Sequence, residues 1–167
     1  NDHINAAQFS SDEKKIATAS YDKTVKVWNT ITGKLLLTLK GLPDEYFYSA
    51  VFSPDDKKIV TASLNNSSKV WHATTGKLIT TLKGHNGSVM SAAFRPDGKR
   101  IITASLDNTS KIWNAETGKL IYTFFAVDSS DYLTILPDGY YQTTQAAAKL
   151  LHYVTDDLQI ISFEQLD

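Results

Sequence analysis

An all-β fold built from repeated, four-stranded antiparallel units is predicted by three observations. A tryptophan returns with its neighbours, as Val25-Lys26-Val27-Trp28-Asn29, Lys69-Val70-Trp71-His72 and Lys111-Ile112-Trp113-Asn114, at spacings of 43 and 42 residues. The same phrases flank each copy: Thr18-Ala19-Ser20, Thr61-Ala62-Ser63 and Thr103-Ala104-Ser105 before it, and Thr32-Gly33-Lys34-Leu35, Thr75-Gly76-Lys77-Leu78 and Thr117-Gly118-Lys119-Leu120 after it. Short runs alternate in the period of two that suits strands, and no helical period separates them. Self-similarity at this period marks an array of supersecondary units, none of which can bury its apolar faces alone.

The third copy justifies the strands in order. Val89 to Phe94 is a short apolar strand, stopped by Arg95-Pro96-Asp97-Gly98, whose proline and glycine suit a tight turn. Lys99 to Ser105, rich in Ile and Thr, is the second strand, and Leu106-Asp107-Asn108 turns the chain again. Thr109 to Trp113 alternates as a third strand, Asn114 to Lys119 is a polar connection, and Leu120 to Phe125 closes the unit. Four such strands per repeat form the blade of a β-propeller. Phe9-Ser10-Ser11-Asp12 and Phe52-Ser53-Pro54-Asp55 align with Phe94-Arg95-Pro96-Asp97 and carry the same course into the first two copies. A fourth, degenerate unit is expected from Leu136-Pro137-Asp138-Gly139, 41 residues after the third turn, with strands over Tyr140 to Thr144, Lys149 to Val154 and Leu158 to Phe163. The blades then span approximately 1–42, 43–84, 85–126 and 127–167.

These residues resemble the WD repeat β-propeller family, whose signature is Gly-His before the first strand, an aspartate between the second and third, and Trp-Asp ending the third. Gly84-His85, Asp107 and Trp113-Asn114 stand at those positions. The resemblance implies a structural hydrogen-bonded tetrad of His85, Ser105, Asp107 and Trp113. A buried carboxylate is tolerable when imidazole, hydroxyl and amide donors satisfy it. The second copy departs: Leu42 stands for the histidine, Asn65 for the aspartate, and one extra residue lies between Gly41 and Phe52. That blade is expected to lack the tetrad, with no buried charge left over. The segment Leu136 to Tyr141 is similar to closing segments of bacterial WD repeat proteins, in which the propeller is joined to an effector or signalling domain.

The resemblance also implies a partner-binding rim, formed by positions flanking the start of each first strand and by the residue before the turn aspartate. Here these are His3, Asn5, Tyr21, Tyr46, Tyr48, Leu64, Ser88, Met90 and Leu106. Tyr, Met and Leu dominate the set, as in protein interfaces, whereas a merely solvated rim would favour Lys, Glu and Ser. The competing reading is that these side chains pack against neighbouring loops. Tyr46, Phe47 and Tyr48 are the first candidates for a hot spot, because three consecutive aromatics on a strand cannot all face inward.

Composition narrows the chemistry. Of 167 residues 42 % are hydrophobic and 11 % aromatic, enough for a substantial core, and the formal charge of -1 supplies no field to attract nucleic acid. No apolar run approaches the roughly 18 residues of a membrane span. Cysteine is absent, so disulfides and thiolate metal sites are excluded, and a cytoplasmic location is expected. His3, His72, His85 and His152 show no metal-ligand spacing, and no cofactor is expected. Asp44, Glu45, Asp55, Asp56, Asp156 and Asp157 fall in turns, where acidic residues are commonly solvated, so they do not suggest catalysis. No Gly-x-Ser-x-Gly elbow occurs, and the recurring Thr-Gly-Lys lacks the preceding glycine of a phosphate loop.

Four blades would form part of a larger ring, which in this family most often has about seven. The chain begins at Asn1, within a repeat, so missing upstream blades are expected to close the ring, or else a second copy of the chain. The expected function is a non-catalytic scaffold or sensor that binds a protein or peptide on the rim and regulates an attached effector domain. A self-assembling structural half-propeller is the alternative, and a propeller enzyme the third reading.

Overall fold

The structure, a computed structural model, describes residues 2–126, 129–148, 152–154 and 160–162. β1 (Ile4–Phe9), β2 (Lys15–Ser20), β3 (Thr24–Asn29) and β4 (Leu35–Lys40) form one antiparallel sheet in sequence order. β5 (Phe47–Phe52), β6 (Lys58–Ser63), β7 (Ser67–His72) and β8 (Leu78–Lys83) form the second, and β9 (Val89–Phe94), β10 (Arg100–Ser105), β11 (Ser110–Asn114) and β12 (Leu120–Ala126) begin the third. The predicted all-β blade architecture is therefore observed. Strand ends match the sequence reading to within a residue or two.

The sheets stack face to face, and the burial pattern shows which one lies in the middle. In β6 and β7 nearly every side chain is buried, because the second sheet is covered on both faces. In β3 and β11 burial alternates, because each of their sheets has one open face. Ala17, Ala19, Val25, Val27 and Leu39 of the first sheet pack on Phe47, Phe52, Ile59 and Trp71 of the second. Val60, Ala62, Val70 and Leu82 pack in the same way on Val89, Ile101 and Trp113 of the third. Trp71 and Trp113 thus press on the preceding sheet and are 6 % and 1 % exposed, while Trp28, on the open face of the first sheet, is only half-buried.

The recurring turns have a local cause. After β3, β7 and β11 the side chains of Asn29, His72 and Asn114 accept the amides of the next turn: Asn29 Oδ1 from Thr32 at 2.8 Å, His72 Nδ1 from Thr75 at 3.3 Å, and Asn114 Oδ1 from Thr117 at 2.9 Å. The following Gly33, Gly76 and Gly118 take φ of 65, 71 and 70°, a region that favours glycine. Thr-Gly-Lys is thereby accounted for as a strand connection, and Asn at the signature aspartate position as its cap.

The expected fourth unit takes a different form. β13 (Tyr132–Ile135) pairs with the outer edge of β12, and β14 (Tyr141–Thr143) pairs with β13, so the third sheet has six strands. Tyr132 stacks on Phe124 with ring centroids 5.7 Å apart. The Leu136 to Gly139 turn does form between them, with Gly139 at φ 91° and its amide on the Leu136 carbonyl at 3.0 Å. A short helix, α1 (Gln145–Ala148), follows, and β15 (His152–Val154) pairs with β16 (Ile160–Ser162) as a separate two-stranded sheet. The remaining residues of the two expected strands, 149–151 and 158–159 among them, lie outside the described residues, as do Asp156 and Asp157. The open backbone edge of β12 offers unpaired donors and acceptors to the next apolar segment, and period-two alternation alone does not say which edge a strand will choose.

Candidate functional site

Each blade holds a polar centre beside its Trp, whose indole N–H bonds a threonine of the same sheet. In the third blade His85 Nδ1 lies 2.8 Å from Asp107 Oδ2, His85 Nε2 lies 2.7 Å from Thr103 Oγ1, and Trp113 Nε1 donates to the same hydroxyl at 2.8 Å. The tetrad is therefore His85, Thr103, Asp107 and Trp113, which corrects the expected Ser105. Both hydroxyls lie on the same side of β10, but Ser105 stands beyond a register shift at the strand end. There its Oγ donates to the Gly87 carbonyl at 2.9 Å and accepts the Asp107 amide at 3.1 Å. The Thr-Ala-Ser phrase is thus divided in every blade. Thr18 and Thr61 also receive their indoles at 3.0 Å, while Ser20 and Ser63 accept the turn amides of Asp22 and Asn65.

The hydrogen bonds fix protonation. Thr103 receives the indole N–H and donates to His85 Nε2, which leaves the proton of a neutral ring on Nδ1, facing Asp107. Burial pushes His85 below the ordinary histidine range, against the opposing pull of Asp107. Burial works to raise Asp107, but donors on Thr109, the Asn86 amide and His85 hold its carboxyl far below the usual carboxylate range. Both groups bind fewer protons folded than unfolded, so each stabilises the fold above its unfolded pKa and that stability is lost as pH falls. Thermal melting is expected to weaken in two stages on acidification. The first begins below about pH 6.5, the ordinary histidine value, and the second below about pH 4, the ordinary aspartate value. His85→Gln should remove the first stage; a chain whose melting is flat from pH 7 to pH 5 would contradict the assignment.

The other two blades keep the indole and threonine but change the ion chemistry. In the first, Asp22 pairs with Lys26 at 3.1 Å on a partly exposed edge. In the second, Glu45 is fully buried and paired with Lys69, itself 7 % exposed. This overturns one expectation, since Glu45 is not a solvated turn residue; the second blade buries a charge, and Lys69 pairs it, so none is left over. Among the remaining acidic candidates, Asp56 accepts the amides of Ser11 and Asp12 at 2.7 and 2.9 Å and ties two blades together, and Asp55 accepts from Ser53 at 2.6 Å. Asp44 is exposed. Among the described residues no three His, Asp or Glu side chains are grouped to hold a metal ion.

The nine rim positions form three equivalent trios along one edge. The amides of Tyr21, Leu64 and Leu106 donate to the carbonyls of His3, Tyr46 and Ser88 at 3.0, 3.0 and 2.9 Å. The third member of each trio, Asn5, Tyr48 or Met90, is the residue skipped where β1, β5 or β9 shifts register against its neighbour. A bulge turns that side chain away from the pleat and out along the edge. Bulges also resolve the aromatic triplet: Phe47 is fully buried, so the hot spot reduces to the half-buried Tyr46 and Tyr48. Tyr21 meets both edge-on, with centroids 5.9 Å from Tyr46 and 5.6 Å from Tyr48, and Lys23 Nζ lies 5.1 Å over the Tyr46 ring. The Tyr21 phenol beside it, together with burial, pushes the Tyr48 phenol above its ordinary value. Leu64, Met90 and Leu106 extend the strip with 40, 38 and 64 % of their surface exposed. Two members face inward chemically: Asn5 Nδ2 donates to the Phe47 carbonyl at 2.8 Å and Ser88 Oγ to the Leu64 carbonyl at 3.1 Å, both across blades.

Repeated four-stranded blades, each with an indole on a threonine, define a WD propeller segment. The chain belongs to the WD40 family: the family described as WD domain, G-beta repeat matches residues 1–29, 33–72 and 76–114. Notchless protein homolog of Arabidopsis thaliana is 47 % identical over 38 residues, which are 23 % of this chain and 8 % of that protein. Among solved structures, that of the RRP9 WD40 repeats superposes with a TM-score of 0.70 at 17 % identity, covering 86 % of this chain and 51 % of the other. The structure of U3-55K gives 0.70 at 18 % identity, over 86 % and 52 %. The chain thus spans about half the length of these solved relatives. WD40 repeats generally mediate protein–protein interaction and scaffolding.

Proposed function

We propose that this chain is a non-catalytic interaction module that binds a protein or peptide along the rim, and that through it the module regulates an attached effector domain. The observation that carries this reading is the construction of the rim. Three bulges fall at Asn5, Tyr48 and Met90; Asn5 is tied back to the Phe47 carbonyl, while Tyr48 and Met90 join Tyr21, Tyr46, Leu64 and Leu106 along one edge of the strand framework. Aromatic and aliphatic anchors on rigid elements lose little entropy on binding. The rim tyrosines pack partly on one another, and the rim still presents exposed apolar surface. A formal charge of -1 supports recognition by shape and apolar contact over nucleic-acid binding.

Random peptides displayed on phage and selected on the chain test this. Enriched peptides should bind the wild type and lose at least about tenfold in affinity for the Tyr46→Ser/Tyr48→Ser/Met90→Ser triple variant, whose melting should be nearly unchanged. Selected peptides that bind both equally would show that the rim is not the binding surface.

A structural, self-assembling reading is favoured by one observation, the open faces at the two ends of the stack. The third sheet presents Ile102, Ile112 and Tyr122 there, and the first presents Ile4, Phe9 and Trp28, the same positions that are covered between blades. Mass measurement at micromolar concentration decides it. A discrete dimer insensitive to Tyr48→Asp supports self-assembly through these faces, whereas a monomer excludes it at that concentration.

A further inference from the structure

The buried pair of the second blade sits directly behind the rim tyrosines. The extra residue between Gly41 and Phe52 lets 42–45 close a turn, with the Glu45 amide on the Leu42 carbonyl at 3.0 Å, and the turn carries the Glu45 carboxylate inward. Its Oε2 accepts the Leu42 amide at 2.9 Å and the Lys69 ammonium, which lies 5.6 Å over the Trp71 ring. The turn is tight: a Cβ on Gly41 would stand 2.9 Å from the Glu45 carbonyl oxygen and 3.0 Å from the Phe47 ring. In the third blade the base comes from the loop (His85) and the acid from the strand turn (Asp107). In the second the acid comes from the loop and the cation from the strand, at a position where the other blades also carry lysine, Lys26 and Lys111.

We infer that Glu45 and Lys69 are positioning residues of the rim: their bond anchors the loop that leads into Tyr46-Phe47-Tyr48 and holds Tyr46 and Tyr48 against Tyr21. Glu45 immediately precedes Tyr46, and the segment after it is fixed by the buried Phe47 ring, by the pairing of Phe47 with Ser63, by the Leu64 N–H on the Tyr46 carbonyl and by the Asn5 side-chain amide on the Phe47 carbonyl, all of them beyond the loop side of Tyr46. Releasing the carboxylate frees the loop side of that segment. The third trio, at Ser88 and Met90, is anchored separately through His85 and Asp107. The functional weight of this device rests on the rim reading above, but its physical test needs no partner.

Nuclear magnetic resonance on the whole chain with ring-labelled tyrosine supplies that test. In the wild type the Leu42 amide, although its residue is largely exposed, should exchange with solvent at least about a hundredfold more slowly than a free loop amide. Exchange at the free rate would overturn the inference without any variant. In Glu45→Leu/Lys69→Met, which removes both charges together, Leu42 protection should be lost, the Tyr48 ring signals should shift, and its phenol should titrate at lower pH, nearer the ordinary value. Asp107→Asn, which disturbs the third blade, should leave Tyr48 where it was. Unchanged Tyr48 titration and Leu42 exchange in the double variant would reduce the pair to a merely structural one. Peptide binding does not enter these readouts, so a failure of the rim reading and a failure of the positioning device are told apart.

Discussion

Trp113→Ala is expected to cost about 3–5 kcal/mol of stability, and Trp28→Ala clearly less. The two tryptophans occupy the same repeat position, so sequence alone would assign them equal weight. Packing separates them. Trp113 is 1 % exposed in the core between the second and third sheets, and its N–H closes the chain through Thr103 to His85 and Asp107. Removing the ring opens a cavity and leaves a buried hydroxyl without its donor. Trp28 has the equivalent bond to Thr18 at 3.0 Å, but its ring is half-buried on the open face of the first sheet, where less apolar surface is withdrawn from water. Urea unfolding of the two variants measures the difference. Equal losses would mean that Trp28 is covered in solution by something beyond these three sheets.

Lys69→Met carries the second large effect, again about 3–5 kcal/mol, because it leaves the fully buried Glu45 carboxylate with one backbone amide as its remaining donor. The companion change should rescue it. Glu45→Leu/Lys69→Met is expected to lie within about 1–2 kcal/mol of the wild type, since replacing a whole buried pair by apolar groups of similar size is often near neutral. The coupling energy from the double-mutant cycle is therefore large, and its sign shows that the charges need each other. Lys26→Met, breaking the partly exposed pair with Asp22, should cost less than about 1 kcal/mol. Additive losses at Glu45 and Lys69 would contradict the pairing.

The period and its register were legible because the sheets demand them. Each blade must repeat the indole, the threonine and the capped Thr-Gly turn at one spacing, and in-register copies of such phrases rarely have another cause. What was illegible depended on local offsets. Thr103 and Ser105 share a parity on β10, so a pattern that asks for a hydroxyl on that strand cannot choose between them; the choice is made by the register shift between Ala104 and Ser105. Glu45 looked like a turn residue because a one-residue insertion, read along the chain, does not reveal that it points a carboxylate inward. Lys69, two residues before Trp71, was the available clue, since a lysine on the covered face of a central strand needs a counter-charge. The pairing of Tyr132 to Ile135 with β12 follows from an open edge that no local pattern encodes. The rim positions were found through the family resemblance, while the bulges that make them project became visible only in the strand register.

In the proposed function, partner recognition belongs to the side chains that vary between blades along the bulged edge, and the repeated framework beneath them supports it. Photo-crosslinking tests this most directly. Benzoylphenylalanine placed singly at Tyr48, at Met90 and at Ile31, a turn residue with 86 % of its surface exposed, is mixed with the peptides selected on the wild-type chain. Crosslinks are expected from positions 48 and 90 and none from 31, despite its greater exposure. Crosslinks from 31 equal to those from 48 would contradict the proposed function, because exposure alone, and not the geometry of the rim, would then decide where partners bind.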